Sequence, residues 1–345
     1  MIINFLIIIQ GKMYKVLVVM DVLEEHKLIL EAVSSDIKIE YIPARLVTPK
    51  DVEFVDAIIG NLNPQLLKYC KKLKLLQLNN AGTEGFTTEG ILPSGALLAN
   101  ATGAYGLAIS EHMIASLLCL MKKLDLYRMN QLRKKWNDEG PVPAIYGSKT
   151  LIVGFGDIGN EFGIRMHALG SRITAIRKNV TVKPEYVESI HTMNDFYTCL
   201  SEADIVATCL PGYSDTFNVF DKKAFEAMKD GAYFLNVGRG TAVDTEALCD
   251  ALESGKLAGA ALDVTNPEPL PSNHRLWTMQ NVLITPHVSG GYHVRATHDK
   301  IIQIAANNLL HLVNQEMFEN IVDMSIGYRI NQNFIYGKNP TIFNM

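Results

Sequence analysis

An excess of charge of either sign is what this sequence most lacks. Lys and Arg number 32 against 36 Asp and Glu, a formal net charge of −4, and no long basic run is present to follow a phosphate backbone or an anionic bilayer. Nucleic acid and membrane are set aside as partners, and a small molecule is expected instead. Cysteine is sparse: Cys70, Cys119, Cys199, Cys209 and Cys249 are scattered, odd in number and without C-x-x-C spacing. That pattern supplies neither a disulfide framework nor a zinc site, so no metal is expected and a reducing cytoplasm is the matching compartment. Spanning apolar runs are missing as well. The opening MIINFLIII at 1–9 is far too short to cross a bilayer and lacks the basic start and small-residue cleavage site of a signal peptide. Because Met13 and the YKVLVVM after it read as the start of a first strand, residues 1–12 are expected to be a dispensable leader. Residues 331–345 carry neither period nor cap and read as a loose tail.

What is present is an alternation. With 345 residues and 48% hydrophobic content the chain exceeds one compact domain, and two are expected. Apolar runs at 16–19, 37–41, 57–60 and 75–78 read as strands, with helices at about 24–33 and opened by Pro64. A second series of strands falls at 151–153, 172–176, 205–209, 233–237, 260–264 and 282–285. Helices are expected near 222–228 and 244–253, with Asp244 as N-cap and Gly255 as stop, and at about 294–313. The fold class is therefore α/β, with two doubly wound parallel sheets covered on both faces. Residues 103–136 contain a long helical run, with apolar positions from Ile109 to Leu124, which can cross between domains or meet a second subunit.

The stretch at 149–177, KTLIVGFGDIGNEFGIRMHALGSRITAIR, organises the second half. It reads strand, glycine turn, helix, strand, with Gly154 for a tight turn, Gly156 for close approach of a pyrophosphate and Gly159 for helix packing. Asp157 and Ile158 complete that loop. The helix stops at Gly170. About 20 residues beyond the glycines, where a carboxylate would receive ribose hydroxyls and repel a 2′-phosphate, stand Arg177 and Lys178. NADP is therefore the favoured cofactor and NAD the alternative.

Four further segments carry chemistry-bearing residues at strand ends. NNAGTEGF at 79–86 leaves the N–H groups of Ala81 and Gly82 open to a carboxylate. FLNVGRGTAVD (234–244), AALDVTNPEPLP (260–271) and ITPHVSGG (284–291) present Arg239, Glu268 and His287. An arginine fork grips a carboxylate, a histidine exchanges protons near neutrality, and a carboxylate beside it fixes its tautomer and stabilises the imidazolium. Together they suit reduction of a keto acid or oxidation of a hydroxy acid. The other eight histidines, including His112, read as structural or exposed, without a comparable partner.

These motifs in order, AGTE at 81–84, ISEHMIASLL at 109–118, GFGDIG at 154–159, ADIVATCLPG at 203–212, NVGRG at 236–240, GAALDV at 259–264, PEPLP at 267–271 and TPHVSG at 285–290, resemble the D-isomer-specific 2-hydroxyacid dehydrogenase family. The resemblance covers roughly 14–327. It implies a Rossmann-type cofactor domain at 103–287 and a flavodoxin-like substrate domain from 13–102 and 288–330. It implies that Arg239 holds the substrate carboxylate, His287 is the general acid/base and Glu268 is its charge partner. Ala81 and Gly82 would grip the carboxylate, Pro211, Val237 and Gly238 would line the cofactor, and Asp263 would lie near the nicotinamide carboxamide. The expected activity is hydride transfer between NAD(P)H and a small 2-keto or D-2-hydroxy acid, in the manner of a glyoxylate/hydroxypyruvate reductase or a short phosphoglycerate dehydrogenase. A homodimer is expected, with the long helix after Gly106 in its interface. The alternative is a corepressor-like protein that senses the dinucleotide with little turnover, against which the Arg239, Glu268 and His287 set argues. Formate dehydrogenases of the same fold carry Gln where Glu268 stands.

Overall fold

A computed structural model describes residues 12–178, 182–212, 214–291 and 294–330. The expected leader, Lys12 apart, and the expected tail at 331–345 lie outside the described residues. In chain order the first elements are β1 (Tyr14–Val18), α1 (Glu24–Glu31), β2 (Ile37–Tyr41), α2 (Pro49–Val52), β3 (Ala57–Ile59), β4 (Leu75–Gln77) and β5 (Leu97–Ala99). There follow α3 (Gly106–Met121), α4 (Leu124–Leu132), β6 (Lys149–Val153), α5 (Asp157–Ala168), β7 (Arg172–Ile176), β8 (Val187–His191), α6 (Phe196–Glu202) and β9 (Ile205–Thr208). Then come α7 (Lys222–Ala227), β10 (Ala232–Asn236), α8 (Thr245–Glu253), β11 (Leu257–Leu262), β12 (Val282–Ile284) and α9 (Arg295–Asn314).

The chain divides into two units, 12–104 with 295–330, and 105–294. These breaks fall at 104/105 and 294/295, where the sequence placed them at 102/103 and 287/288. In the first unit five parallel strands run in the order β2-β1-β3-β4-β5, the doubly wound order of flavodoxin-like sheets. Alternation along β1 explains its two covered faces. Val16 and Val18 join Leu30 of α1 and Ile302, Ala305 and Leu309 of α9, whereas Leu17 joins Val52, Ile58 and Leu76 on the opposite face. The second unit has seven parallel strands in the order β12-β11-β10-β9-β6-β7-β8. Reckoned from β6, this is the Rossmann order with one strand added at the far edge. Its core includes Phe196, Phe220, Phe225 and Phe234, whose rings meet edge to face at centroid separations of 5.0–5.4 Å. Such a pair adds about 0.5–1.5 kcal/mol beyond area burial.

Local chemistry accounts for several boundaries. Asp244 caps α8, its Oδ1 accepting the N–H groups of Glu246 and Ala247, and Gly255 follows with φ +75°. Gly170 ends α5 with φ +85°. Three expectations are corrected. The helix opened by Pro64 is a 3-10 helix, Pro64–Tyr69, in which the Asn63 side chain accepts the N–H of Gln65. The long helical run expected within 103–136 is two helices. It breaks at Lys122 and Lys123, the latter left-handed with φ +55°, and it ends at Leu132. Strands β5 and β8 are additions to the expected set, as is helix α6. Among the described residues no helix is long and apolar enough to cross a membrane.

Candidate active site

The glycine loop is built by close approach. Gly154, with φ +95°, donates its N–H to Ile176 O at 3.0 Å, and a Cβ there would lie 2.8 Å from the Cys209 carbonyl carbon. A Cβ on Gly159 would come within 2.5 Å of Gly154 O, so only glycine lets α5 lie this near β6. Gly156 is the N-cap of α5 and brings no side chain to it. The first-turn N–H groups, including those of Asp157 and Ile158, lack intrahelical acceptors as at any helix start and carry the positive end of the helix dipole. This donor set fits a dinucleotide pyrophosphate.

The Asp157 side chain also has a structural contact of its own. Its Oδ2 accepts the N–H of Gly106 at 3.1 Å and so ties the start of α3 to the start of α5. Arg177 directly follows β7 and donates its backbone N–H to His191 O at 3.1 Å, with exposed Lys178 next to it. Pro211 O accepts the Thr216 hydroxyl at 2.6 Å, and the Val237 N–H is held by Thr208 O at 3.2 Å. Burial first, and then the charge of Asp157, push the Cys209 thiol up to about 12, which leaves it protonated and unreactive beside the loop.

Arg239, Glu268 and His287 follow β10, β11 and β12, three neighbouring strands, at the same edge of the sheet. Buried Asn236 shapes the Arg239 turn: its Oδ1 accepts the Gly238 N–H at 3.0 Å and its Nδ2 donates to Arg239 O at 3.1 Å. Glycine at 238 is required by packing, because a Cβ there would sit 2.3 Å from Leu210 O. The Arg239 guanidinium reaches back to Gly238 O at 2.8 Å, and its stem passes Gly212, where an added Cβ would lie 3.0 Å from Arg239 Cγ.

His287 Nδ1 lies 2.6 Å from Glu268 Oε1, with both side chains about half exposed. The carboxylate accepts the Nδ1 proton, which leaves Nε2 to exchange protons with a substrate oxygen. His287 itself has φ +52°, a left-handed conformation that a non-glycine residue adopts only when its surroundings enforce it. Asp263, 3% exposed at the end of β11, is the enforcing group. Its Oδ1 accepts the Thr285 hydroxyl at 2.6 Å and the Val288 N–H at 3.0 Å, and its Oδ2 accepts the Ser289 hydroxyl and the Ser289 N–H, the latter at 3.1 Å. Its backbone carbonyl takes the His287 N–H at 2.8 Å. Burial works against the charged carboxylate, yet the hydrogen bonds from Ser289, Thr285 and Val288 prevail and hold its pKa below the usual carboxylate value. Resemblance placed Asp263 at the nicotinamide; with both oxygens doubly occupied, its visible task is to hold the His287 loop.

Ala81 and Gly82 belong to the first unit. There Asn100, fully buried, donates to Ala81 O at 2.8 Å, and Thr83 is tied to Gly327 O. Sequence reading missed Asn100, Asn236, Thr285 and Ser289, residue types common in loops whose partners only the folded sheet supplies. The expectation that the remaining histidines lack partners is corrected. His26 meets Asp299 at 2.8 Å, His274 meets Glu246 at 3.1 Å, and His112 meets Thr285 at 3.1 Å. Their partners are far away in the chain and only the packing of helices and loops brings them near.

Residues 114–289 match the family model described as D-isomer specific 2-hydroxyacid dehydrogenase, NAD binding domain. A glyoxylate reductase of Thermococcus litoralis is 31% identical over 82% of this chain and 88% of its own length. A glyoxylate/hydroxypyruvate reductase B of an Enterobacter species is 29% identical over 75% and 80%. The crystal structure of a D-isomer specific 2-hydroxyacid dehydrogenase family protein from Aeromonas salmonicida superposes with a TM-score of 0.80 at 26% identity, covering 90% of this chain and 99% of that one. The chain belongs to the D-isomer-specific 2-hydroxyacid dehydrogenases, NAD(P)-dependent oxidoreductases that move a hydride between the nicotinamide and a small 2-keto or D-2-hydroxy acid.

Proposed function

We propose that this dehydrogenase reduces glyoxylate or hydroxypyruvate, the substrates in the names of the two reductases above, with NADPH as the preferred donor. The His287 Nδ1 to Glu268 Oε1 contact of 2.6 Å carries the reading, because it fixes which imidazole nitrogen faces substrate. Bound NAD(P)H supplies the hydride, and the pyrophosphate falls to Gly154, Gly156, Ile158 and Gly159, with Pro211, Val237 and Gly238 beside it. Arg239 binds the keto-acid carboxylate and polarises its carbonyl; a carboxylate-binding role for the backbone of Ala81 and Gly82 is supported by the resemblance of AGTE at 81–84 alone. His287 Nε2 gives its proton to the forming alkoxide, while Glu268 stabilises the imidazolium before that transfer. A protein that only sensed the dinucleotide would have no use for this proton-transfer pair.

The preference for NADPH rests on Arg177 and Lys178 after β7, where a 2′-phosphate would find two positive charges and no carboxylate. Five unpaired thiols support a reducing cytoplasmic setting. A homodimer is supported by the exposed apolar side chains Leu124, Met129, Leu132 and Trp136, on and just after α4. The test is oxidation of NADPH and NADH by the purified protein across glyoxylate, hydroxypyruvate, pyruvate and 3-phosphohydroxypyruvate. Turnover confined to the phosphorylated acid, or absent with all four, would overturn the substrate assignment.

A further inference from the structure

The long helix α3 carries a histidine with no place in the chemistry above. His112 is three-quarters buried, and its Nε2 lies 3.1 Å from Thr285 Oγ1 and 4.0 Å from Asp263 Oδ1. The proton directions in this chain are determined. Asp263 is ionised and can only accept, so the Thr285 hydroxyl spends its single proton on Oδ1 at 2.6 Å. Thr285 Oγ1 therefore faces His112 as an acceptor, and His112 is the donor through Nε2–H. The series runs from His112 to Thr285 to Asp263, and from there to the N–H groups of Val288 and Ser289 that bracket the left-handed turn after His287.

We propose that His112 is a positioning residue for the acid–base loop: by holding the Thr285 hydroxyl on Asp263, it fixes the carboxylate that keeps His287 in its left-handed conformation. This role rests on the proposed part of His287 in catalysis. Without the Nε2–H donor the Thr285 hydroxyl keeps its bond to Asp263 Oδ1 but loses the partner that orients its oxygen, and the series that steadies the carboxylate on that side is one member shorter. The two backbone N–H groups remain but hold a carboxylate with more freedom, and the turn they define loosens. A purely space-filling role makes the opposite demand, since it asks only for a side chain of similar bulk.

Two replacements separate these roles. His112→Gln carries an amide Nε2–H at the same number of bonds from Cβ, whereas His112→Leu keeps bulk without a donor. In the ligand-free protein, amide hydrogen exchange across 285–291 is expected to quicken about 3–10-fold in His112→Leu, the range that loss of one hydrogen bond allows, and to stay near native in His112→Gln. Keto-acid turnover should follow the same order, falling by a similar factor in the Leu variant and recovering in the Gln variant. Thr285→Val should reproduce the Leu phenotype and Thr285→Ser the native one, which keeps the test open if the Leu variant fails to fold. Unchanged exchange in both His112→Leu and Thr285→Val overturns the proposal, as does equal acceleration in the Leu and Gln variants. If the native protein turns over no keto acid while the exchange pattern holds, the positioning role stands and the assigned activity falls.

Discussion

Replacing Asp263 with alanine removes the one acceptor on which four donors converge: the Thr285 hydroxyl, the Val288 N–H, and the N–H and hydroxyl of Ser289. The two hydroxyls can rotate toward other acceptors, but the two backbone N–H groups cannot. The Ser289 N–H is left buried and unsatisfied at about 1–3 kcal/mol, whereas the Val288 N–H, only part-buried, adds less because water can reach it. Relief from burying a charge offsets part of this, so the expected loss is about 1–3 kcal/mol, a sizeable share of a total stability of about 5–15 kcal/mol. Urea unfolding at neutral pH, followed by tryptophan fluorescence, is the assay, because both tryptophans, Trp136 and Trp277, lie in the unit that contains Asp263. The pH dependence supplies a second reading. A carboxylate whose folded pKa is depressed stabilises the fold above its unfolded pKa of about 4, and that contribution is lost as pH falls through the folded value. The gap between native and Asp263→Ala should therefore hold constant down to about pH 4 and shrink below it. A variant within about 0.5 kcal/mol of native at pH 7, with a gap that ignores acid, would refute the assignment of Asp263 as the hub of this loop.

Four other outcomes are expected. His287→Ala should lose about 10²–10⁴-fold in turnover, since no donor remains for the forming alkoxide, and near-native turnover would remove it from the mechanism. Glu268→Gln should lower kcat with little change in KM, because an amide no longer fixes which imidazole nitrogen carries the proton; a native kcat would sever the pairing. Arg239→Lys should raise KM for the keto acid and lower kcat, a point charge being a poor substitute for the bidentate fork, and survival of both parameters would place the carboxylate elsewhere. Arg177→Asp should move kcat/KM from NADPH toward NADH with the same keto acid, and a native preference for NADH would falsify the electrostatic reading of that strand end.

The sheet strands that the sequence announced clearly are those buried on both faces. β1, β6, β9 and β10 are short, mostly apolar runs, and such runs have few other places to go. Within the two parallel sheets, the two strands it did not announce are edge strands. β5 begins with exposed Leu97, and β8, VESIH, is mostly half-exposed with only two apolar residues, so neither carries the continuous apolar signature of its neighbours. The break between α3 and α4 was hidden for a different reason. Lys122 and Lys123 are ordinary helix formers, and only the left-handed φ of Lys123 ends the run, a demand of tertiary packing rather than of propensity.

At the site, sequence disclosed the residues proposed to do the chemistry and concealed those that aim them. Arg239, Glu268 and His287 stand out because an arginine between glycines, a glutamate between prolines and a histidine after a proline are costly choices for plain turns. Thr285 and Ser289 do not stand out, since both are routine loop residues, and their meaning depends on Asp263, which lies 22 and 26 positions earlier. Pairing of β11 with β12 closes that distance by setting Ala260 beside Val282 and Leu262 beside Ile284, which delivers the Asp263 carboxylate to the loop beyond Ile284. A shift of one residue in that register would turn Asp263 to the other face of the sheet and leave the left-handed turn at His287 without its anchor. Positioning of the proton donor is thus written into strand pairing, which explains why a motif search finds His287 while the groups that orient it emerge only from the fold.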